Sequence, residues 1–152
     1  MVNAADSLVW ACISKNNSFM VKRNGRTART GAIRFSSEAG NVASLSTFKY
    51  SGLANSRTID VTSTASADAK KGADLTMLKK TSSKAGSKPA KATQSTPLNK
   101  CFRSSVSAVE KQSARADLTA AAKAKYTGLA NGKKAAKGLR KMSKVTLGRG
   151  TQ

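Results

Sequence analysis

Lysine and arginine are the residues of this sequence whose side chains offer the most chemistry. The 152-residue chain carries 28 of them against 7 aspartates and glutamates, which gives a net charge of +21 and an isoelectric point near 10.7. Such a charge opposes compaction unless a polyanion neutralises it, so phosphate backbones or anionic lipids are the expected partners. Lipid is the weaker choice, because the sequence has no run of 18 apolar residues and no N-terminal signal pattern. We therefore expect an intracellular partner of nucleic acid with no membrane association.

The residue types that catalysis and metal binding need are scarce. The sequence has no histidine, which removes the commonest general base near neutral pH, although a serine paired with a lysine stays open as an alternative. Cys12 and Cys101 are too few for a disulfide framework and, without histidine, for a four-ligand zinc site. We expect no enzymatic activity, no metal site, no cofactor and no small-molecule substrate.

Basic charge is concentrated in the C-terminal half of the chain. Residues 1–76 contain 10 basic and 5 acidic residues, a net charge of +5, whereas residues 77–152 contain 18 and 2, a net charge of +16. This asymmetry is typical of a folded platform with a cationic extension, because a core needs apolar burial and an arm held by nucleic acid does not. We expect an α+β core over residues 1–80, a basic Ser/Ala/Lys linker over 81–95 and a basic helical extension over 96–152.

The elements that would position the N-terminal cations are a helix and a hairpin. Residues 7–14 suit a short helix or a buried strand, and we favour the helix. Residues 17–23 form an apolar stretch that Asn24 and Gly25 would turn through a type I′ hairpin into a strand over residues 26–30. The hairpin tip would present four basic residues, Lys22, Arg23, Arg26 and Arg29.

A second pair of strands is predicted at residues 58–62 and 73–79, where alternating polarity suits a sheet with one solvated face. Residues 35–56 are predicted to form an ordered loop. The aromatic residues of this half are interpreted mainly as core because of their apolar neighbours, with contact to nucleic acid as the alternative. They are Trp10, Phe19, Phe48 and Tyr50.

Two or three short amphipathic helices are predicted after the linker. Thr96 is a good N-cap and Pro97 is favoured at a first helical position, so a helix should begin there. Its apolar stripe, at spacings of three and four, comprises Leu98, Cys101, Phe102, Val106 and Val109. A second helix should run from Asp117 to the pair Asn131-Gly132, and a third over residues 134–143.

One short segment occurs twice in the chain. Residues 50–55 (YSGLAN) and 126–131 (YTGLAN) match at five of six positions, but their flanks do not match. Repeat architectures need recurring units of about 20 to 50 residues. We therefore interpret the match as a coincidence and predict no internal repeat.

The N-terminal half carries motifs in the order found in one ribosomal protein family. They read Leu8-Val9-Trp10, NNSFMVKRN at residues 16–24, FSSE at residues 35–38 and FKYSGLANSRTIDV at residues 48–61. In these motifs, and again at Asn99-Lys100, Arg103 and Ala116-Asp117-Leu118, the sequence resembles the eukaryotic large-subunit ribosomal protein L-twenty-eight family. It departs from the family in extra residues around 29–34, in Ala39 where a proline is usual, and in its linker and tail.

The resemblance implies an α+β region followed by a helical region on the large (60S) subunit of the cytosolic ribosome. The implied partners are ribosomal RNA and neighbouring large-subunit proteins, with assembly in the nucleolus. No catalytic residue is implied, and we expect no homo-oligomer. A nucleolar ribosome-assembly factor of the same domain type, which should be longer and carry acidic tracts, is the alternative. The Lys/Ala composition of residues 120–141 leaves a linker-histone-like chromatin protein as a further one.

The expected RNA contacts are pairs between basic side chains and phosphates. Arginine is favoured for defined contacts because its planar guanidinium grips phosphate bidentately or stacks on a base, whereas lysine supplies positional charge. The candidate residues are Lys22, Arg23, Arg26, Arg29, Arg34, Lys49, Arg57, Lys79, Lys80, Lys100, Arg103, Lys123, Lys125, Lys133, Lys134, Lys137, Arg140 and Lys141.

Overall fold

The computed structural model describes residues 4–22, 34–64, 74–81 and 89–139. In chain order, their elements are α1 (Asp6–Ile13), β1 (Met20–Lys22), β2 (Arg34–Ser36), β3 (Thr58–Thr64), β4 (Asp74–Lys80), α2 (Pro89–Ala92), β5 (Thr93–Pro97), α3 (Phe102–Gln112), a short 3-10 helix (Ala116–Leu118) and α4 (Thr119–Ala136). Strands β1 and β2 form one antiparallel sheet, and β3, β4 and β5 form another. The predicted α+β class and the predicted helix at α1 are confirmed.

Strands β3 and β4 confirm the predicted second pair and lie at the centre of the fold. They pair antiparallel from Thr58 opposite Lys80 to Thr64 opposite Asp74. Ile59, Val61 and Met77 are fully buried between them and the helices. The first four residues of β3 are all buried, so the prediction of one solvated face was wrong for this part of the strand. Helices and loops cover both of its faces, and apolar and β-branched residues suit a strand in that position.

Strand β5 occupies residues that the sequence predicted as the end of the linker and the start of a helix. It pairs with β4, with Thr93 opposite Lys80 and Pro97 opposite Thr76. The prediction of a helix beginning at Thr96 was wrong, and the predicted linker of residues 81–95 loses its last residues to this strand. The physical reason is that the free edge of β4 carries backbone groups that need partners, a demand that local preferences do not show.

The register of the first hairpin also differs from the prediction. Lys22 lies opposite Arg34, and Val21 lies opposite Phe35. A two-residue turn at Asn24 and Gly25 would instead have placed Lys22 opposite Thr27, so that register was wrong. The Ser37 amide extends this pairing by donating to the Phe19 carbonyl at 2.9 Å, and the Ser36 amide ties β2 to the following loop by donating to the Ser44 carbonyl at 2.9 Å. Residues 23–33 lie outside the described residues.

The C-terminal helices cover the sheet with a row of side chains spaced four residues apart. These are Leu118, Ala122, Tyr126 and Ala130, all buried and all in one cluster with the sheet. Helix α4 continues through Asn131 and Gly132, so the predicted stop and the separate third helix from residue 134 were wrong for the described residues. The helix ends instead at Ala136, and Gly138, two residues later, has a φ of +70° that lets the Leu139 amide reach the Lys134 carbonyl at 3.0 Å.

The aromatic residues are less buried than the sequence predicted. Phe19 and Phe48 are each 42% exposed, so the core interpretation was wrong for both. Trp10 is half-buried, with its ring centroid 6.1 Å from that of Phe48, and Tyr50 packs against the core. Phe102 is 43% exposed. The described part of the chain therefore presents several rings at its surface.

Candidate nucleic-acid interface

A buried carboxylate organises the loop that precedes β3. Glu38 accepts hydrogen bonds from the Asn41 amide at 3.0 Å, the Ser51 hydroxyl at 3.2 Å and the Leu53 backbone amide at 3.2 Å. At Gly52 a Cβ atom would lie 2.0 Å from the Ala39 carbonyl oxygen, so the two backbone segments meet where no side chain fits. This loop fixes the positions from which Lys49 and Arg57 project.

Lys80 is directed into the protein. Its ammonium donates to the carbonyl oxygens of Gly52 at 3.1 Å and Asn55 at 2.9 Å. Burial lowers the pKa of Lys80, although the charges of Asp6 and Glu38 oppose the shift. Lys80 was predicted to contact phosphate, but in the structure its ammonium links β4 to the loop before β3.

Lys125 is directed inward in the same way. Its ammonium lies 2.6 Å from the carboxylate of Asp60, whose side chain is 5% exposed, and Lys125 itself is 27% exposed. Burial raises the pKa of Asp60, although the hydrogen bond and charge of Lys125 and the Val61 amide at 2.7 Å favour the charged form. This pair links α4 to β3.

Three further candidates make partial contacts within the protein. Lys123 lies 2.9 Å from Glu110, Lys133 lies 3.9 Å from Asp74, and Arg34 donates to the Ser14 carbonyl at 3.2 Å. Lys123, Lys133 and Arg34 are half-buried, as is Lys79 on β4. Donors of these side chains can still face a ligand, but part of their charge is already screened.

Six candidates are exposed: Lys49, Arg57, Lys100, Arg103, Lys134 and Lys137. The structure brings the last four together around α3 and the end of α4, where they line two neighbouring grooves of about 560 and 620 Å³. Lys111 lies eight residues after Arg103 on α3 and lines the smaller groove with it. Helical spacing could have identified Lys111, since residues eight apart lie near the same face.

The other candidates lie wholly or partly outside the described residues. These are Arg23, Arg26, Arg29, Arg140 and Lys141. Lys22 contributes its backbone to β1, and its side chain is not described. Their predicted roles remain predictions.

Comparison with protein families matches residues 8–132 to the Ribosomal L28e protein family. The chain belongs to this family. The match covers the loop of Glu38, the sheet and most of α4. The resemblance in the sequence motifs is thereby confirmed.

Two curated proteins named large ribosomal subunit protein eL28 are similar to this L28e-family chain. The protein of Dictyostelium discoideum is 42% identical over 57 residues, which are 38% of this chain and 38% of that protein. The protein of Caenorhabditis elegans is 43% identical over 61 residues, which are 40% of this chain and 44% of that protein. The similar segment thus spans less than half of the length of either relative.

In the part of this L28e-family chain that the structure describes, none of the helices has both the length and the hydrophobicity of a membrane span. In the same residues, no three His, Cys, Asp or Glu side chains lie together as metal ligands would. The clustered features of the described surface are the exposed cations around α3 and the end of α4.

Proposed function

We propose that this protein is a structural constituent of the large subunit of the cytosolic ribosome and that it binds ribosomal RNA. Membership in the L28e family carries the proposal. Both similar relatives are named as large-subunit proteins. The protein acts by binding, in contact with RNA and neighbouring ribosomal proteins, and not as an enzyme. It is assembled in the nucleolus and works in the cytoplasm.

The distribution of charge supports RNA as the partner. Every acidic side chain in the described residues is engaged by a donor of the protein itself. Asp6 accepts hydrogen bonds from Ser56, Glu38 from its loop, Asp60 from Lys125 and Asp117 from Arg115, whereas Asp74 and Glu110 form ion pairs with Lys133 and Lys123. Within the part of the chain that the structure describes, Lys100, Arg103, Lys134 and Lys137 are exposed and form no ion pair with a carboxylate. A surface of this kind binds phosphates and releases their counterions.

Association with the ribosome is tested by sedimentation. A tagged copy of the protein should migrate with large subunits and with translating ribosomes in a sucrose gradient, and should stay with them after a high-salt wash. An assembly factor would instead migrate with nuclear precursor particles and be absent from translating ribosomes. Recovery in chromatin fractions with no ribosomal association would contradict the proposal.

The exposed and the paired cations should differ in their contribution to RNA binding. Changing Lys100, Arg103, Lys134 and Lys137 to glutamine should flatten the plot of log affinity against log salt on duplex RNA. Each lost phosphate contact should remove about 0.9 from the slope, so the change should reach about 3.6 if all four touch phosphate. Changing Lys123 and Lys133 to glutamine should alter the slope less, because both ammoniums already face carboxylates.

Filter binding over a salt series measures both slopes. The paired-lysine variant is the matched control, because it also removes lysines from α4. Equal slope changes per residue in the two variants would show that the internal ion pairs do not compete with RNA.

A further inference from the structure

The larger groove at the end of α4 combines an apolar floor with a rim of lysines. Leu98 and Tyr126 are buried at its floor, whereas Phe102 and Leu139 expose 43% and 76% of their surface. Four ammonium groups surround them, those of Lys100, Lys133, Lys134 and Lys137. The groove has a volume of about 620 Å³, within the range of sites for small organic ligands.

The ring of Phe102 is held from behind. Tyr126, which is 3% exposed, packs against it with the ring centroids 5.6 Å apart and the planes 31° apart. The ammonium of Lys134 lies 5.7 Å from the centroid of the same ring. An exposed ring that packs on a buried partner provides a fixed surface for stacking, and the 43% exposure of Phe102 leaves part of the ring accessible to a ligand.

We propose that this groove binds a single unpaired nucleotide of an RNA. The base stacks on Phe102 and contacts Leu139, and the phosphates on either side pair with Lys100 and Lys137. Lys134 is exposed, so its flexible side chain leaves the ring and pairs with a phosphate when the base enters. This proposal rests on the proposed function, because it specifies how the same cationic surface recognises RNA.

The chemistry of the groove favours a nucleotide over a protein segment. The four lysines face one acidic residue of the groove, Asp74, which is already 3.9 Å from Lys133. The groove has one exposed aromatic ring surrounded by several ammonium groups. A complementary ligand therefore has a flat aromatic group with a negative charge on either side. Single-stranded RNA presents that arrangement at every residue, whereas a duplex hides its bases.

A fluorescent base analogue tests the proposal. A single-stranded RNA of about ten nucleotides with 2-aminopurine at its centre should lose fluorescence on binding, because stacking on an aromatic ring quenches it. Phe102→Leu keeps an apolar side chain and removes the ring, so it should abolish the quenching and weaken binding about tenfold. Phe35→Leu is the matched control, since Phe35 is nearly equally exposed at 42% but does not line the groove. It should leave both signals unchanged.

A second variant tests the proposed phosphate contacts without changing the ring of Phe102. Changing Lys100 and Lys137 to glutamine should reduce the salt slope on the single strand by about 1.4, since each phosphate contact contributes about 0.7 there. Circular dichroism of every variant confirms that the fold is intact.

The salt dependence on duplex RNA separates this proposal from the proposed function. If Phe102→Leu leaves quenching and single-strand affinity unchanged while duplex binding persists, the nucleotide site is refuted, the RNA-binding function stands, and the groove remains available to a neighbouring protein. If the unmodified protein bound neither single-stranded nor duplex RNA, the proposed RNA-binding function itself would be refuted.

Discussion

Replacing Lys125 with methionine is expected to lower the free energy of unfolding by about 3 kcal/mol. The change removes the ammonium that lies 2.6 Å from Asp60 and leaves a carboxylate that is 5% exposed without its cation. Methionine retains most of the apolar length of the lysine, so the loss reflects the charge and not a cavity. Chemical denaturation of the purified protein, followed by circular dichroism, measures it.

Lys123→Met is the matched control for this prediction. The change has the same chemistry on the same helix, but Glu110, the partner of Lys123, is 58% exposed. An exposed pair contributes about 0 to 1 kcal/mol, so this variant should be nearly as stable as the unmodified protein. Adding Asp60→Asn to Lys125→Met should recover part of the loss, because the buried group is then neutral.

The stability deficit of Lys125→Met should depend on pH through the charge of Asp60. Burial raises the pKa of Asp60 in the folded protein above its value in the unfolded chain. Protonated Asp60 therefore stabilises the fold fully at pH values below the unfolded pKa, and this contribution is lost as the pH rises through the folded pKa. Removing Lys125 raises the folded pKa further. The deficit of Lys125→Met should therefore shrink on acidification, as the carboxylate becomes protonated. A deficit equal to that of Lys123→Met at every pH would show that the Asp60 pair does not stabilise the fold.

Gly52→Ala is expected to destabilise the protein by about 3 kcal/mol or more. The new Cβ would lie 2.0 Å from the Ala39 carbonyl oxygen and 3.0 Å from the Gly40 carbonyl carbon. Both obstacles are backbone atoms, so no side-chain rotation relieves the overlap. The same backbone holds the carbonyl that accepts from Lys80, so its displacement also disturbs the contact between β4 and the loop.

Gly128→Ala is the matched control, because it makes the same change at the equivalent position of the second YxGLAN segment. Nothing lies within 4 Å of a Cβ at Gly128, which is in the interior of α4. Alanine should stabilise the helix there by about 1 kcal/mol. Thermal melting should thus move in opposite directions for the two variants. A loss of stability at both glycines would contradict the packing described for α4.

Several elements could be predicted from the sequence because local pattern and tertiary structure agree in them. In β4 the alternation reflects burial, since Leu75 and Met77 are buried between half-buried neighbours, and the strand ends one residue later than predicted. In β3 the strand was predicted correctly, but its first four residues are all buried and do not alternate. Helix α1 follows from a continuous apolar run. Leu118, Ala122 and Tyr126 recur every four residues in the sequence, and in the structure they pack together against the sheet.

Other elements could not be predicted because distant contacts override local preference. Thr96 and Pro97 are favourable helix-start residues, yet they pair with β4, whose open edge needs backbone partners. Asn24 and Gly25 favour a tight turn, yet Lys22 pairs with Arg34. In both places a sheet formed between distant residues outweighs a preference worth about 1 kcal/mol.

The two YxGLAN segments have nearly the same sequence but different structures. Residues 50–55 form turns in the loop that Glu38 organises, whereas residues 126–131 lie within α4. Their side chains are nearly the same, so the difference arises from their surroundings. A buried carboxylate and a close backbone contact hold the first segment, and the Ala-rich helix extends through the second.

The sequence by itself determined the charge, the family motifs and hence the class of partner expected for this protein. These depend on residue type, which does not change with folding. Only the tertiary structure decided which of the described cations are exposed and which are held inside the fold. Lys80 and Lys125 have the same side chain as Lys100 and Lys137. Inside the protein, however, Lys80 donates to two backbone carbonyls and Lys125 pairs with a carboxylate. The reason is that a buried polar group must find its partner within the fold, and its location becomes known only once distant segments meet.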